Sequence, residues 1–295
     1  MPAASVVDPQ LLARLEALRL AVRHVQWGTR LGGRFVINRR GSSVEFADYA
    51  EYTPGDDIRT IDWNLYARLN RLFVKLYKEE IELSVEIIVD ATASMALPTA
   101  KKFSRATELA LCLAYIGLAG RHQVRLSWIA SGRPSATAWA VKRADMARLT
   151  ASAASAAPSG QISMAGWMQR AVAALRMHGG QAILITDGMV RPAEFFQAMH
   201  LLAMKHLEVK VVQVLTPEEL QPARLMRGGR LIDSETGSTH ELAYRPEELA
   251  RAVLEHNEQL ARFCKRQGIP WVQHRLDESL EPFLLKTLPM SGFLE

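Results

Sequence analysis

Apolar residues recur at helical spacing near the start of the chain. Leu11, Leu12, Leu15, Leu18 and Val22 make one stripe, and Asp8-Pro9 ahead of it reads as an N-cap followed by proline at the first helical position. Gly28, Gly32, Gly33 and Gly41 then break the chain into an irregular basic segment. From Ser42 to Trp63 acidic and aromatic residues crowd together without a clear period. Between Leu72 and Leu83 the alternation of Phe73, Lys75, Tyr77 with Val74, Leu76, Lys78 suits a strand.

From Ser84 the pattern becomes regular. Short β-branched runs at Val85–Val89, Val124–Ile129, Ala182–Thr186, Val209–Leu215 and Pro270–Leu276 predict buried strands. Between and after them, helices are predicted over Lys101–Gly120, Arg143–Ser155, Met164–Met177, Pro192–Lys205, Pro246–Gln267 and Ser279–Thr287. Thr137–Val141 is a candidate partner for the second strand, and Asp233–Gly237 a candidate hairpin tip. Strands alternating with helices imply an α/β fold: a doubly wound, mostly parallel sheet covered on both faces. Two regions are expected, 1–81 with the N-terminal helix and the acidic-aromatic segment, and 82–288 with the sheet.

Composition narrows the classes. With 295 residues, 48% hydrophobic and 23% charged, the chain can bury a real core and is neither disordered nor fibrous. Two cysteines, Cys112 and Cys264, exclude a disulfide scaffold and a multi-cysteine zinc module, and read as buried free thiols in a reducing compartment. The net charge of +5 suits an acidic partner, but no Lys/Arg run is interleaved with aromatics, so nucleic acid is not an expected partner. The longest apolar run, Leu109–Gly120, falls well short of the ~20 residues of a membrane span, and no targeting signal is visible. A cytoplasmic protein without a membrane span is expected.

Two stretches carry candidate chemistry. Asp90-Ala91-Thr92-Ala93-Ser94 follows a strand, where open α/β sheets place their sites. Its carboxylate and two hydroxyls at alternate positions could converge on one hard cation such as magnesium, which takes oxygen ligands and keeps several waters. A second strand ends in Asp187-Gly188; if the strands are neighbours, Asp90 and Asp187 face one another. The alternative is that the hydroxyls cap the following helix and the aspartates sit in turns. The other stretch begins at Glu45 and runs on through Tyr52-Thr53-Pro54-Gly55-Asp56-Asp57-Ile58-Arg59 to Ile61-Asp62-Trp63. Pro54-Gly55 fits the centre of a type II turn. Asp56, Asp57, Arg59 and Asp62 alone would make a local ion-pair network or a solvated turn. Ile61 and Trp63 are expected to be buried against the α/β domain, with Arg59 paired to one of the three aspartates.

The first stretch resembles the metal-ion-dependent adhesion site of von Willebrand factor A domains. Asp90, Ser94 and Asp187 match it, Thr92 replaces a serine but keeps the hydroxyl, and Ile162 falls where a distant threonine belongs, with Ser159 and Ser163 beside it. The second stretch, followed by Leu72-Phe73-Val74-Lys75 and a strand ending in aspartate, resembles a bacterial family of unknown function, number fifty-eight. Its members carry a von Willebrand A-like domain and are encoded beside MoxR-type AAA+ ATPases. The resemblance runs from about Pro9 to about Leu288, and is to the short subgroup without membrane spans. It implies a von Willebrand A-like sheet and a non-enzymatic protein-binding module that works with a MoxR-type ATPase in maturing or remodelling protein complexes. It also implies a magnesium ion held by Asp90, Thr92, Ser94 and, through water, Asp187, with a position open to an acidic group of a target protein; the departure at Ile162 bears on that ion's affinity. A metal-dependent phosphoester hydrolase and a metal-free scaffold are the alternatives. No Walker loop, His-Glu-x-x-His or Gly-x-Ser-x-Gly motif is present, and the eight histidines are scattered.

Overall fold

The computed structural model describes residues 9–21, 44–56, 58–79, 83–130, 135–160, 162–174, 180–221, 230–232, 239–241 and 246–295. The N-terminal stripe forms α1 (Pro9–Leu15), with Leu15 fully buried; the cap expected at Asp8 lies outside the described residues. The chain divides into two units, His24–Glu82 and a larger one made of Met1–Arg23 with Leu83–Glu295. The N-terminal helix therefore goes with the sheet and not with the segment after it.

In the smaller unit the acidic-aromatic stretch folds as β1 (Val44–Glu51), α2 (Trp63–Leu69) and β2 (Phe73–Glu79). β1, which contains Glu45, pairs antiparallel with β2, with an irregularity between Phe46 and Asp48. Tyr52 continues this pairing, its N–H donating to the Leu72 carbonyl at 2.9 Å. Pro54 and Gly55 form the expected turn: Asp56 N–H donates to the Thr53 carbonyl at 3.0 Å, and Gly55 has a φ of 109°. The Asp56 carboxylate closes it by accepting from Thr53 N–H at 2.9 Å. Arg59 stands exposed in a short 3-10 turn, Ile58–Thr60, and Asp57 lies outside the described residues.

Asp62 holds the start of α2 and the end of the hairpin together. One carboxylate oxygen caps α2, accepting from the Asn64 and Leu65 amides at 2.9 and 3.1 Å; the other accepts from Tyr49 Oη at 3.0 Å and lies 3.1 Å from Lys75 Nζ. The Lys75 bond, with help from the cap amides, holds this carboxyl below the usual carboxylate range. Ile61 is buried, and its bridge is to Val74 of β2 within the same unit. Trp63 is not buried: it is 62% exposed, edge-on to Tyr66. The inward position belongs to Ile61, and the chain turns into the helix at the Asp62 cap, which leaves the next side chain facing water. Asp62→Ala should lower the melting temperature by several degrees, because the cap and the Lys75 pair go together, whereas Trp63→Ala should leave it nearly unchanged. Differential scanning fluorimetry checks both.

The larger unit is built on β3 (Ser84–Asp90), α3 (Lys101–Ala119), β4 (Gln123–Ile129) and β5 (Ser135–Ala136), then α4 (Met146–Ser155), α5 (Met164–Ala174), β6 (Gln181–Thr186) and α6 (Pro192–Ala203). It continues with β7 (Glu208–Leu215), α7 (Pro217–Leu220), a hairpin of β8 (Arg230–Ile232) and β9 (Thr239–Glu241), α8 (Pro246–Arg266) and β10 (Trp271–Arg275). The tip of that hairpin lies outside the described residues. The last helical stretch, α9 (Leu280–Pro282) to α10 (Leu288–Met290), passes through a wide π-type turn. The six-stranded sheet runs β10-β7-β6-β3-β4-β5, parallel except for β5. The doubly wound, mostly parallel sheet expected from the alternation is therefore present.

Both faces of the sheet are dry. Ile88, Ala182, Leu184, Val209 and Val211 point to one face, under Trp167 and Met168 of α5, Phe195 and Met199 of α6, and Leu260 and Phe263 of α8. α3 packs against β3, β4, β6 and β7. Its Gly117 is essential to that approach, since a Cβ there would stand 2.7 Å from Val124 Cγ2. Cys112 and Cys264 are buried free thiols, as expected, and burial pushes Cys264 up to about 12, which makes it inert.

The chain's outer segments meet at the amino-terminal edge of the sheet. Arg19 and Glu295 exchange two backbone hydrogen bonds, Ala21 N–H donates to the Phe293 carbonyl at 3.1 Å, and Leu20 and Leu294 are buried between them. Lys210 of β7 reaches this seam wholly buried, and its ammonium donates to the carbonyls of Ala21 and Phe293.

Candidate functional site at the carboxyl ends of β3 and β6

β3 sits between β4 and β6, and the chain leaves it for β4 but leaves β6 for β7, in the opposite direction. The carboxyl ends of β3 and β6 thus flank the crevice where the winding reverses, the place where open α/β sheets bind ligands. The parallel register Val89↔Ile185 puts Asp90 beside Thr186 and Asp187.

Asp90 is completely buried and accepts three hydrogen bonds. Thr92 N–H and Thr92 Oγ1 donate to one carboxylate oxygen at 3.0 and 2.7 Å, and Thr186 Oγ1 donates to the other at 2.7 Å. Burial, then the charge of Asp187, nevertheless push its carboxyl up to about 6. Thr92 Oγ1 lies 3.0 Å from Ser94 Oγ. With the Thr92 proton directed at Asp90, Ser94 Oγ–H donates to Thr92 Oγ1, which leaves the lone pairs of Ser94 and one of Thr92 unused.

Asp187 is spoken for on both oxygens. Met189 N–H donates to one at 2.9 Å, and the Lys102 ammonium to the other at 2.9 Å. The same ammonium donates to Glu219 at 2.6 Å. Gly188 is next, with φ 72°, and a Cβ there would stand 2.9 Å from Gln213 Nε2 and 3.2 Å from Leu260, so only glycine fits the turn. Gln213 donates to the Asp187 carbonyl at 2.9 Å, and His256 Nε2 lies 2.8 Å from the Gly188 carbonyl.

Asp90, Thr92, Ser94 and Asp187 lie at the ends of the two neighbouring strands. Of the alternative, the hydroxyl half is absent at Thr92, which precedes the short 3-10 turn Ala93–Ala96 and makes no cap bond with its side chain; the aspartate half is present, since Asp90 accepts from Thr92 N–H and Asp187 from Met189 N–H, each closing a turn two residues on. Thr186, Lys102 and Glu219 went unrecognised. A lysine in the first turn of an apolar helix carries no local sign that it is buried. Of the residues considered for the distant threonine, Ile162 packs against the apolar cluster, and Ser163 Oγ accepts from Gly166 N–H at 3.2 Å, starting α5. Ser159 reaches the site through its backbone: its N–H donates to the Ala91 carbonyl at 2.9 Å, and the Gly160 carbonyl accepts from Ala93 N–H at 3.0 Å.

The donors suit a hard cation. Two oxygens 3.0 Å apart match an edge of an octahedron with 2.0–2.1 Å magnesium–oxygen bonds, which is about 2.9 Å. Three carboxylates (Asp90, Asp187, Glu219) against one ammonium (Lys102) leave a formal charge of −2 when all are ionised, and a divalent ion would cancel it. Among the described residues no three of His, Cys, Asp and Glu converge on a metal-holding geometry, so hydroxyls would have to supply the direct ligands.

Comparison with known proteins adds a family. The description "Protein of unknown function DUF58" matches residues 48–261. Uncharacterized proteins of Mycobacterium bovis and of Mycobacterium tuberculosis are each 28% identical over 284 residues, covering 92% of this chain and 86% of theirs. Among solved structures, the conserved hypothetical protein BatB from Bacteroides thetaiotaomicron is 17% identical with a TM-score of 0.43, covering 71% of this chain and 98% of that one. A von Willebrand factor type A protein from Catenulispora acidiphila is 16% identical with a TM-score of 0.35, covering 75% and 51%.

Proposed function

Because the chain belongs to the DUF58 family of proteins of unknown function, we propose that it is a non-enzymatic protein-binding module whose docking edge is the crevice between β3 and β6. The observation that carries this is the Thr92–Ser94 hydroxyl pair, braced by Asp90 at the reversal point of the sheet. Thr92 and Ser94 would hold a magnesium ion, with Asp90 acting through the Thr92 hydroxyl and Asp187 facing it across the crevice. Such an ion, when bound, offers an exchangeable position to a carboxylate of a target protein. The net charge of +5 adds a salt-sensitive attraction to an acidic partner. The partner we propose is a MoxR-type AAA+ ATPase acting in the cytoplasm on the maturation or remodelling of protein complexes, as the resemblance of the Tyr52–Trp63 segment implies.

A non-catalytic role is favoured by Asp90 itself. It is completely buried and accepts three hydrogen bonds, from Thr92 N–H, Thr92 Oγ1 and Thr186 Oγ1, so an attacking water has little access to it. Among the described residues no helix is long and apolar enough to cross a membrane.

Two measurements test the proposal. Calorimetry should detect magnesium or manganese binding at millimolar metal, lost in the Thr92→Val, Ser94→Ala double variant with the fold intact by circular dichroism. Capture of the ATPase should weaken on chelation and at high salt. Failure to bind the ATPase in every condition overturns the pairing. Binding that ignores the chelator removes the ion from the mechanism and makes the Tyr52–Trp63 segment the contact surface to test next.

A further inference from the structure

Lys102 is an unusual residue to find in the core. It is 0% exposed, in the first turn of α3. The partial positive charge of a helix N-terminus disfavours a cation there, and taking an ammonium out of water costs several kcal/mol. Two carboxylates offset this: Asp187 at 2.9 Å and Glu219 at 2.6 Å. Burial alone would lower the ammonium, yet the two acids carry it above its ordinary value.

The two acids are themselves tied down. Asp187 accepts from Met189 N–H through its other oxygen. Glu219 accepts from Thr216 N–H at 2.8 Å through its other oxygen, and Thr216 Oγ1 accepts from Glu219 N–H at 3.2 Å, a reciprocal cap on α7. One ammonium thus joins the turn after β6, the turn after β7 and the start of the helix after β3. Every carboxylate oxygen on this side of the crevice already has a partner. The Asp90 side differs, because its hydroxyl lone pairs are still available.

We propose that Lys102 is a tethered counter-cation of the crevice: it occupies Asp187 in place of an exchangeable ion, which keeps the site assembled without metal and sets its divalent affinity low. This rests on the cation reading of Thr92 and Ser94, and extends it by naming the residue that limits the affinity. Removing the ammonium leaves three carboxylates and no internal cation, so the vacated charge should be made up by a divalent ion from solution.

The test uses manganese and magnesium with the full chain, read by calorimetry and by thermal unfolding. Lys102→Met and Lys102→Gln should each lower the melting temperature without metal, raise divalent affinity tenfold or more, and gain several times the wild-type thermal shift on adding manganese. Should neither variant fold, Lys102→Arg keeps the claim testable, since it retains the tethered charge beside Asp187 and Glu219. Manganese affinity should then stay within threefold of wild type; a tenfold gain with the charge retained would overturn the proposal. Wild type that binds metal, with Lys102→Met no tighter, overturns the proposal and leaves the cation reading standing. Wild type that binds none while Lys102→Met binds supports the proposal. Absence of binding in both, with the variant folded, overturns both.

Discussion

Lys210→Met should lower the unfolding free energy by about 3–5 kcal/mol. The ammonium donates to the buried carbonyls of Ala21 and Phe293 and sits 5.6 Å from the centre of the Phe293 ring. Methionine keeps the length of the stem but donates nothing. Two hydrogen bonds from a charged donor go, each worth about 1.5–3 kcal/mol, and the Phe293 carbonyl is left with the Ala21 N–H alone. Gln181, which also donates to the Ala21 carbonyl at 2.8 Å, limits the loss on that side. Urea unfolding measures the effect. A loss below about 1 kcal/mol would mean that the seam between residues 19–21 and 293–295 stands by its backbone bonds and by Leu20 and Leu294 alone.

Acid should act through His274. This β10 residue is fully buried, with Nε2 3.1 Å from Arg105 Nη1 and its ring against Phe283. Burial, and then the Arg105 charge, hold it down at about 4 despite Asp277, against 6.5 for a free imidazole. The folded state therefore refuses a proton that the unfolded chain accepts between pH 6.5 and 4. Stability from this group is complete above that window and is lost as pH falls through it, by about 2 kcal/mol at pH 5 and about 3 at pH 4. Asp90 titrates in the opposite sense: its raised carboxyl favours the folded state at low pH and ceases to do so as pH rises towards 6. Only the difference between wild type and His274→Gln isolates the histidine. That difference, from denaturant unfolding at pH 7.5 and 5, should move by about 2 kcal/mol against the wild type. A flat difference would mean that the imidazole is not held neutral by its surroundings.

What could be read from the sequence depended on the distance over which each feature is fixed. β3, β6, α3 and α8 announce themselves because a buried strand or an amphipathic helix repeats its own pattern. β1 and α2 do not. α2 buries none of its side chains; it exists because Asp62 caps it and Lys75 and Tyr49 hold Asp62. Trp63 was misplaced for the same reason, since an aromatic beside an apolar residue reads as core unless the cap between them is recognised. At the crevice, the spacing of Asp90, Thr92 and Ser94 is local and could be read. The partners of Lys102 stand 85 and 117 residues away, and that of Thr186 stands 96 away. Only the sheet order brings them together.

The outward turn at Trp63 gives the chain an optical asymmetry. Trp128 and Trp167 are shielded in the larger unit, at 5% and 1% exposure, and an indole in such surroundings emits in the blue and resists collision with a dissolved quencher. Trp63 stands in water in the smaller unit, so it belongs to the red, quenchable part of the emission. Trp139 and Trp271 of the larger unit are half-buried and fall between these extremes. An event that covers the Tyr52–Trp63 segment should therefore move part of the emission to the blue and protect it from the quencher, while Trp128 and Trp167 report on the interior of the sheet.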